Sequence, residues 1–326
     1  MTHSQDTPAP RANGGLITFG ETMGLITAHT VGTLEYARDF TFGIGGAESN
    51  VAIGAARLGA PVTWIGRVGD DAAGELVGRR LRAEGIHTMV VRDTSFTGLM
   101  VRHRRAAAVV HVDYHRAGSA GSRLTSHDIP VDTIRRAAIL HLTGITPALS
   151  ASALQATWDA VVAAKAHGVL VSIDVNYRSK LWDRAAARCE LRRLVAEADI
   201  VFAGIEEARL VLDSGEDAPE SLAAGLTATG PGEAVIKTGS QGCTARIDDA
   251  IHKQPALSVP VVDTVGAGDA FVAGYLSERL RGAAPLQRLR TACAMGAYAV
   301  SVPGDCELLP TRGELETFLT TGDVLR

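Results

Sequence analysis

The chain has 326 residues, 46% of them hydrophobic and 21% charged, with a formal net charge of −4. That length holds one large α/β domain or two smaller ones, and the mild acidity argues against a nucleic-acid or polybasic membrane partner. No apolar run is long enough to span a bilayer, and Cys189, Cys243, Cys293 and Cys306 form neither a C-x-x-C pair nor a zinc spacing, as expected of free thiols in a reducing cytoplasm.

Residues 1–14, MTHSQDTPAPRANG, lack the apolar core of a signal peptide and read as a disordered tail. Leu16–Gly20 is a short apolar run that predicts a buried first strand. Glu21 follows at its C-terminal end, where open α/β sheets place ligand groups, although a capping or solvated glutamate is the plainer expectation. Thr27–Phe42 is polar with scattered aromatics and predicts strands outside the main sheet. Gly43-Ile44-Gly45-Gly46-Ala47-Glu48-Ser49-Asn50 then leads into a helix lined with small residues. VTWIGRVG predicts a strand, Gly69-Asp70-Asp71 a turn and Ala72–Glu84 a helix. This alternation predicts a parallel sheet covered by helices.

Between Thr97 and Arg116 the rhythm changes to two β-rich runs with no helix between them. Period-two alternation puts Val112, Tyr114 and Arg116 on one face and His111, Asp113 and His115 on the other. The second set could ligate a metal, but a solvated strand face is the stronger reading. With Thr27–Phe42 the pair predicts a small sheet able to close over a site. Ser126 is a candidate N-cap with Asp128 in the first turn. ILHLTG, VLVSIDVN and DIVFAG then read as strands, alternating with helices over Ser150–His167, Arg184–Glu197 and Glu206–Leu212. Asp174, Asn176 and Arg178 share a face if the extended conformation continues. AVIKTGSQG predicts a strand entering a glycine turn, Lys237-Thr238-Gly239-Ser240-Gln241-Gly242, which suits a nucleotide or a simple hairpin. QPALSVPVVD leads on, and two closing helices follow, with Pro303-Gly304-Asp305 after the second.

The chain is organised around Val261–Leu276, VVDTVGAGDAFVAGYL: an extended run, the small-residue turn Gly266-Ala267-Gly268, then a helix opening at Asp269. Glycines allow close backbone approach, and a helix N-terminus offers unpaired N–H groups and a positive dipole end. Together they suit a phosphate. An aspartate there repels phosphate and is better placed to take a proton. The same residues also fit an ordinary loop with an acidic first turn. There is no P-loop motif, no G-x-G-x-x-G and no G-x-S-x-G, which disfavours P-loop NTPases and dinucleotide enzymes.

DTVGAGDAF closely resembles the second signature of the PfkB/ribokinase family of carbohydrate kinases. GIGGAESNVAIGAARLG with IGRVGDDAAG resembles its first. The resemblance spans the chain from Leu16 onward. LITFGETMGLI, the run Tyr114–Ser122 and the run Asp174–Trp182 resemble the 2-keto-3-deoxygluconate kinases within that family. The resemblance implies an α/β, ribokinase-like three-layer fold with a mostly parallel sheet and a small β-sheet lid. The kinase domain would cover 15–326, with lid segments about 24–43 and 97–117. It implies ATP and Mg2+, and phosphorylation of the terminal hydroxyl of 2-keto-3-deoxygluconate to 2-keto-3-deoxy-6-phosphogluconate. By the same resemblance Asp269 is the catalytic base and Gly266, Ala267 and Gly268 the anion hole. Gly46, Asn50, Tyr114, Arg116, Arg178 and Asp305 contact the sugar acid. Asn176 lies near the nucleotide phosphates, and Lys237, Thr238, Gly239, Ser240, Gln241 and Gly242 form the nucleotide loop. Small-molecule partners and a homo-oligomer formed through the lid, whose sheet edges are free, complete the expectation.

Three departures stand out. Met100 replaces a frequent tyrosine in the first lid strand, Tyr114-His115 replaces a tyrosine pair, and Gly204 occupies the asparagine position of an N-x-x-E motif, leaving Glu207 alone as a metal candidate. The alternatives are a kinase for a neutral sugar or nucleoside, which the arginines disfavour, and a silent sugar or nucleotide sensor on the same fold.

Overall fold

The computed structural model describes residues 14–106 and 109–320, so the expected tail lies outside the described residues except for Gly14. Strands and helices are numbered along the chain. The main sheet comprises β1 (Leu16–Phe19), β4 (Val62–Gly69), β5 (His87–Asp93), β8 (Ile139–Thr143), β9 (Leu170–Asp174), β10 (Ile200–Gly204), β11 (Glu233–Lys237), β12 (Cys243–Ile247) and β13 (Ala250–Gln254). Their order is β13-β12-β11-β10-β9-β8-β1-β4-β5. Pairing is parallel from β11 through β5, and the β12–β13 hairpin adds antiparallel strands at one edge. The small sheet is β3-β2-β6-β7, built from β2 (Met23–Val31), β3 (Phe40–Gly45), β6 (Leu99–Ala106) and β7 (Val109–His115).

The helices are α1 (Ala47–Arg57), α2 (Ala72–Ala83), α3 (Val131–Arg136), α4 (Ala151–Ala166), α5 (Arg184–Glu197), α6 (Ile205–Leu212), α7 (Pro219–Thr227), α8 (Ala267–Leu280), α9 (Pro285–Ser301) and α10 (Arg312–Thr320). Successive strand residues point to opposite faces, so each strand feeds two cores. Leu16, Trp64, Phe202 and Val235 pack with α1, α2, α8 and α9, while Ile17, Leu140, Val171 and Val201 pack with α3 to α7. Burial on both faces explains why these strands are near-continuous apolar runs. Glu233 anchors α8 and α9 to the sheet. Fully buried, it accepts from Tyr275 Oη at 2.5 Å and from Arg279 Nε and Arg288 Nη1 at 2.9 Å each. No helix among the described residues is long and apolar enough to cross a membrane.

Several local expectations needed correction. The extended run before Gly266 joins neither sheet, since 255–264 makes no ladder. Thr125, not Ser126, caps the turn Ser126–Asp128, with Asp128 accepting from the Thr125 N–H at 2.8 Å. The alternation proposed for Asp174, Asn176 and Arg178 breaks at Asn176, whose φ is 37°; a left-handed residue turns the chain out of the strand. The face of His111, Asp113 and His115 is exposed, as the solvated-face reading expects, and His111 stacks on His103 with ring centroids 5.4 Å apart. No group of three metal-ligating side chains occurs among the described residues.

Candidate active site

Helix α8 begins without a side-chain cap, at Gly266 with φ 75°. A β-carbon there would lie 2.1 Å from the carbonyl oxygen of Asp305, so both conformation and contact demand glycine. Helices α2 and α5 cover their starts: Asp71 Oδ1 accepts from Gly74 N at 2.7 Å, and Asp183 Oδ1 from Ala185 N at 2.9 Å. At α8 the first N–H groups of Ala267 and Gly268 are left for a ligand, as the anion-site reading requires. Helix α1 likewise starts at an uncapped glycine, Gly46, where a β-carbon would lie 2.5 Å from the Glu21 carbonyl oxygen.

Asp269 sits in the first turn of α8 and accepts from Asn50 Nδ2 at 2.8 Å. Its pKa is pushed up to about 7. Burial is the main cause and the nearby Asp174 carboxylate adds to it; Asn50, Lys237 and Arg178 pull the other way. A carboxylate poised near neutral pH, next to an anion site, can accept a proton from a hydroxyl.

Asp269 opens onto a cavity of about 1220 Å³, lined among others by Gly46, Asn50, Tyr114, Arg116, Arg178 and Asp305. The structure thus gathers all the expected sugar contacts in one place, from the first signature, the small sheet, the end of β9 and the C-terminal turn. Their electrostatics differ. Arg116 pairs with Glu21, which is 3% exposed and also accepts from Ser119 Oγ. Glu21 is therefore neither a cap nor a solvated glutamate, and the Arg116 charge is already matched. The Arg178 guanidinium makes no ion pair among the described residues and is exposed to the cavity. Tyr114 forms part of the rim at 44% exposure, with Arg116 and Lys180 5.8 and 5.9 Å from its ring centroid. Met100 supplies an apolar wall and packs on Met23 and Leu25.

Asp305 is held by Arg102, whose Nη1 donates to Oδ1 at 2.5 Å. Burial raises the Asp305 pKa to about 6, aided by Glu307 and Asp263 and opposed by Arg102. Arg102 also lies 3.7 Å from Asp263, and Arg104 Nη2 lies 3.1 Å from the same carboxylate. Two arginines of β6 therefore tie the small sheet to both sides of the Gly266 turn. Sequence reading missed them because Arg102-His103-Arg104-Arg105 looks like a solvated charge run.

Lys237, the first residue of the expected nucleotide loop, lies beside the turn, its Nζ 3.6 Å from where a Gly268 β-carbon would be. Gly239–Gln241 is a short 3-10 turn closed by Thr238 N donating to the Gly242 carbonyl at 2.9 Å, with Gly239, Ser240 and Gln241 exposed. Lys237 is bound to Asp174, a residue sequence reading placed near the site without a role. Asn176 is buried where the chain leaves β9. Glu207 is anchored: Oε2 accepts from Gly204 N at 2.7 Å and Oε1 from Tyr177 N at 3.0 Å. Each oxygen keeps a second lone pair beside the backbone bond it accepts, so Glu207 stays a candidate metal ligand, held in place by those two bonds. Glu48 also lines the cavity and is buried, accepting from Thr143 and Thr146 hydroxyls at 2.7 Å each.

Residues 15–312 match the pfkB family carbohydrate kinase profile. The chain is similar to 2-dehydro-3-deoxygluconokinase of Bacillus subtilis (strain 168), with 37% identity covering 93% of this chain and 95% of that protein. It is also similar to 2-dehydro-3-deoxygalactonokinase of Haloferax volcanii, with 34% identity covering 94% of this chain and 97% of the relative. An E.coli protein solved in complex with ATP and Mg2+ superposes with a TM-score of 0.86 at 26% identity, covering 94% of this chain and 99% of that one.

Proposed function

The chain belongs to the pfkB family of carbohydrate kinases, and from that premise we propose that it phosphorylates 2-keto-3-deoxygluconate on its terminal hydroxyl with ATP. The product is 2-keto-3-deoxy-6-phosphogluconate. The observation that carries this reading is Asp269, a carboxylate with pKa near 7 beside an uncapped helix start, opening onto a cavity in which the Arg178 guanidinium has no ion-pair partner among the described residues.

In the proposed reaction the sugar hydroxyl gives its proton to Asp269 as its oxygen bonds to the γ-phosphorus. The bond from that phosphorus to the bridging oxygen breaks and ADP leaves. The backbone N–H groups of the Gly266–Gly268 turn take the charge of the transferring group, so positioning and electrostatics supply most of the acceleration. Arg178 meets the sugar carboxylate through charge-assisted bonds. Magnesium would come with the ATP phosphates, and Glu207, held by its two backbone bonds, is the candidate protein ligand for it. The small sheet acts as the lid, excluding water as a competing acceptor. Its exposed Phe40 and Phe42 suit a homo-oligomer formed through that sheet. Dependence on ATP supports a cytoplasmic enzyme.

Arg116 lends weight to a second reading. With its charge matched by Glu21, the site could also serve a neutral sugar. ADP release measured with 2-keto-3-deoxygluconate, its C4 epimer, fructose and ribose tests both. Turnover of the two sugar acids alone supports the proposal, and turnover of fructose or ribose at equal efficiency rejects it. Binding without turnover favours the sensor.

A further inference from the structure

Lys237 ends β11 and Asp174 ends β9, on either side of β10. Both Asp174 oxygens accept from the Lys237 ammonium, at 2.8 Å each. The two partners are unequally buried: the side chain of Asp174 is 3% exposed and that of Lys237 19%. The carboxylate therefore grips from beneath while the ammonium reaches outward. What it reaches is the anion turn, since a β-carbon on Gly268 would lie 3.6 Å from Lys237 Nζ. Gly204 stands opposite Lys237 in the β10–β11 register and puts no side chain in its way. Asp269, on the same helix turn as Gly268, opens onto the sugar cavity, whereas Lys237 approaches the turn from the sheet.

An ammonium has three donors. Two are used by Asp174, which leaves one to point elsewhere. As a stability device the pair is poor, because the cost of taking two charges out of water offsets most of their attraction and well-packed apolar residues do as well. Burial opposes the lysine's charge, but the Asp174 and Glu207 carboxylates outweigh it and hold the Lys237 pKa above the ordinary lysine value. It is a fixed cation at neutral pH and cannot be the base.

We propose that Lys237 is a catalytic cation that meets the transferring phosphoryl group at the Gly266–Gly268 turn, and that Asp174 is the positioning residue that aims it. This rests on the kinase reading above and gives a role to one lysine within it. The helix N-terminus supplies partial charge on backbone N–H groups; Lys237 adds a full charge, on the side of the turn away from the sugar.

The test uses the full-length chain and the variants K237M, K237R, D174N and D174N/K237M. Steady-state rates are read with MgATP and the sugar acid, and affinities for ATP and adenosine by calorimetry without sugar. For K237M the expectation is a kcat loss of about 10²–10³-fold, the usual effect of removing one charge-stabilising donor, with sugar KM changed less than about threefold. ATP affinity falls while adenosine affinity holds, and K237R recovers part of the rate. D174N loses nearly as much as K237M, and the double variant is no worse than K237M, as for residues acting as one unit. A folded K237M with near-wild-type kcat and unchanged ATP affinity overturns the proposal, as do independent, additive losses in the double variant. If K237M does not fold, K237R and D174N decide: equal ATP affinity and kcat to wild type in D174N overturns it. Should the wild type phosphorylate no sugar, the kinase reading falls, while the ATP-against-adenosine comparison still decides for or against Lys237.

Discussion

The Asn50 amide on α1 donates to the Asp269 carboxylate on α8 at 2.8 Å, joining positions 219 residues apart. The two glycine-initiated helices are thereby tied at their starts, and the bond stabilises the charged form of the base. Asn50 Oδ1 is buried without a protein partner, so the amide's orientation is set by Asp269. Asn50→Ala should raise the Asp269 pKa further above about 7, moving the acid limb of the kcat/KM–pH profile to higher pH. An unmoved limb in that profile would count against Asp269 as the titrating base.

Asp269→Asn should lower kcat by about 10²–10⁴-fold, the usual range for a general base, with ATP still bound. Turnover near the wild-type rate would sink the mechanism.

The same variant carries a stability signature. The folded pKa of about 7 lies above the ordinary aspartate value of 3.8, so the folded state holds the proton more tightly. Stability from this group is full below the unfolded pKa and is lost as pH rises through about 7. Asp269→Asn should therefore raise Tm relative to wild type at pH 8 and have little effect at pH 4. Thermal melts at the two values check the sign, and a larger gain at pH 4 would refute it.

Arg178→Ala should raise KM for the sugar acid by roughly 10- to 100-fold, from the loss of charged hydrogen bonds worth about 1.5–3 kcal/mol, and change KM for a neutral sugar far less. Equal effects on both would remove the carboxylate from its role. Arg116→Ala should cost stability as well, because it strands the buried Glu21.

Arg102→Met removes the partner of Asp305 and leaves an uncompensated buried carboxylate. Breaking such a pair costs about 3–5 kcal/mol, on the order of 10 °C in Tm. Asp305 already has a raised pKa of about 6, and losing Arg102 raises it further. The Tm deficit should therefore be larger at pH 8, where folding must bury the charge, than at pH 5. Asp263 and Glu307 also face this site and add to the repulsion, while Arg104 on Asp263 offsets part of it. A deficit independent of pH would contradict the assignment.

The main sheet was legible because parallel strands buried on both faces are written as apolar runs, as in Leu16–Phe19 and Ile200–Gly204. The small sheet was legible from β-rich runs with no helix between them. The β12–β13 hairpin was not, because Cys243–Ile247 and Ala250–Gln254 are short and mixed in character. Nor was the left-handed Asn176, because the alternation of Asp174, Asn176 and Arg178 holds only while the chain stays extended. Glu21 was misread for a different reason: its partners Arg116 and Ser119 lie about a hundred positions downstream, and nothing local announces them.

By itself the sequence determined which groups are available: a glycine at 266 that alone tolerates φ 75° beside Asp305, an aspartate in the first turn after it, and arginines in the small sheet and after β9. Only the tertiary structure decided their state. Asp269 titrates near 7 because folding buries it beside Asp174. Arg116 is matched by Glu21, Arg102 is spent on Asp305, and Lys237 is aimed by Asp174. The reason is physical: residue type and spacing specify backbone preference, whereas the charge a group carries depends on burial and on neighbours within a few ångströms, which the chain brings together only by folding.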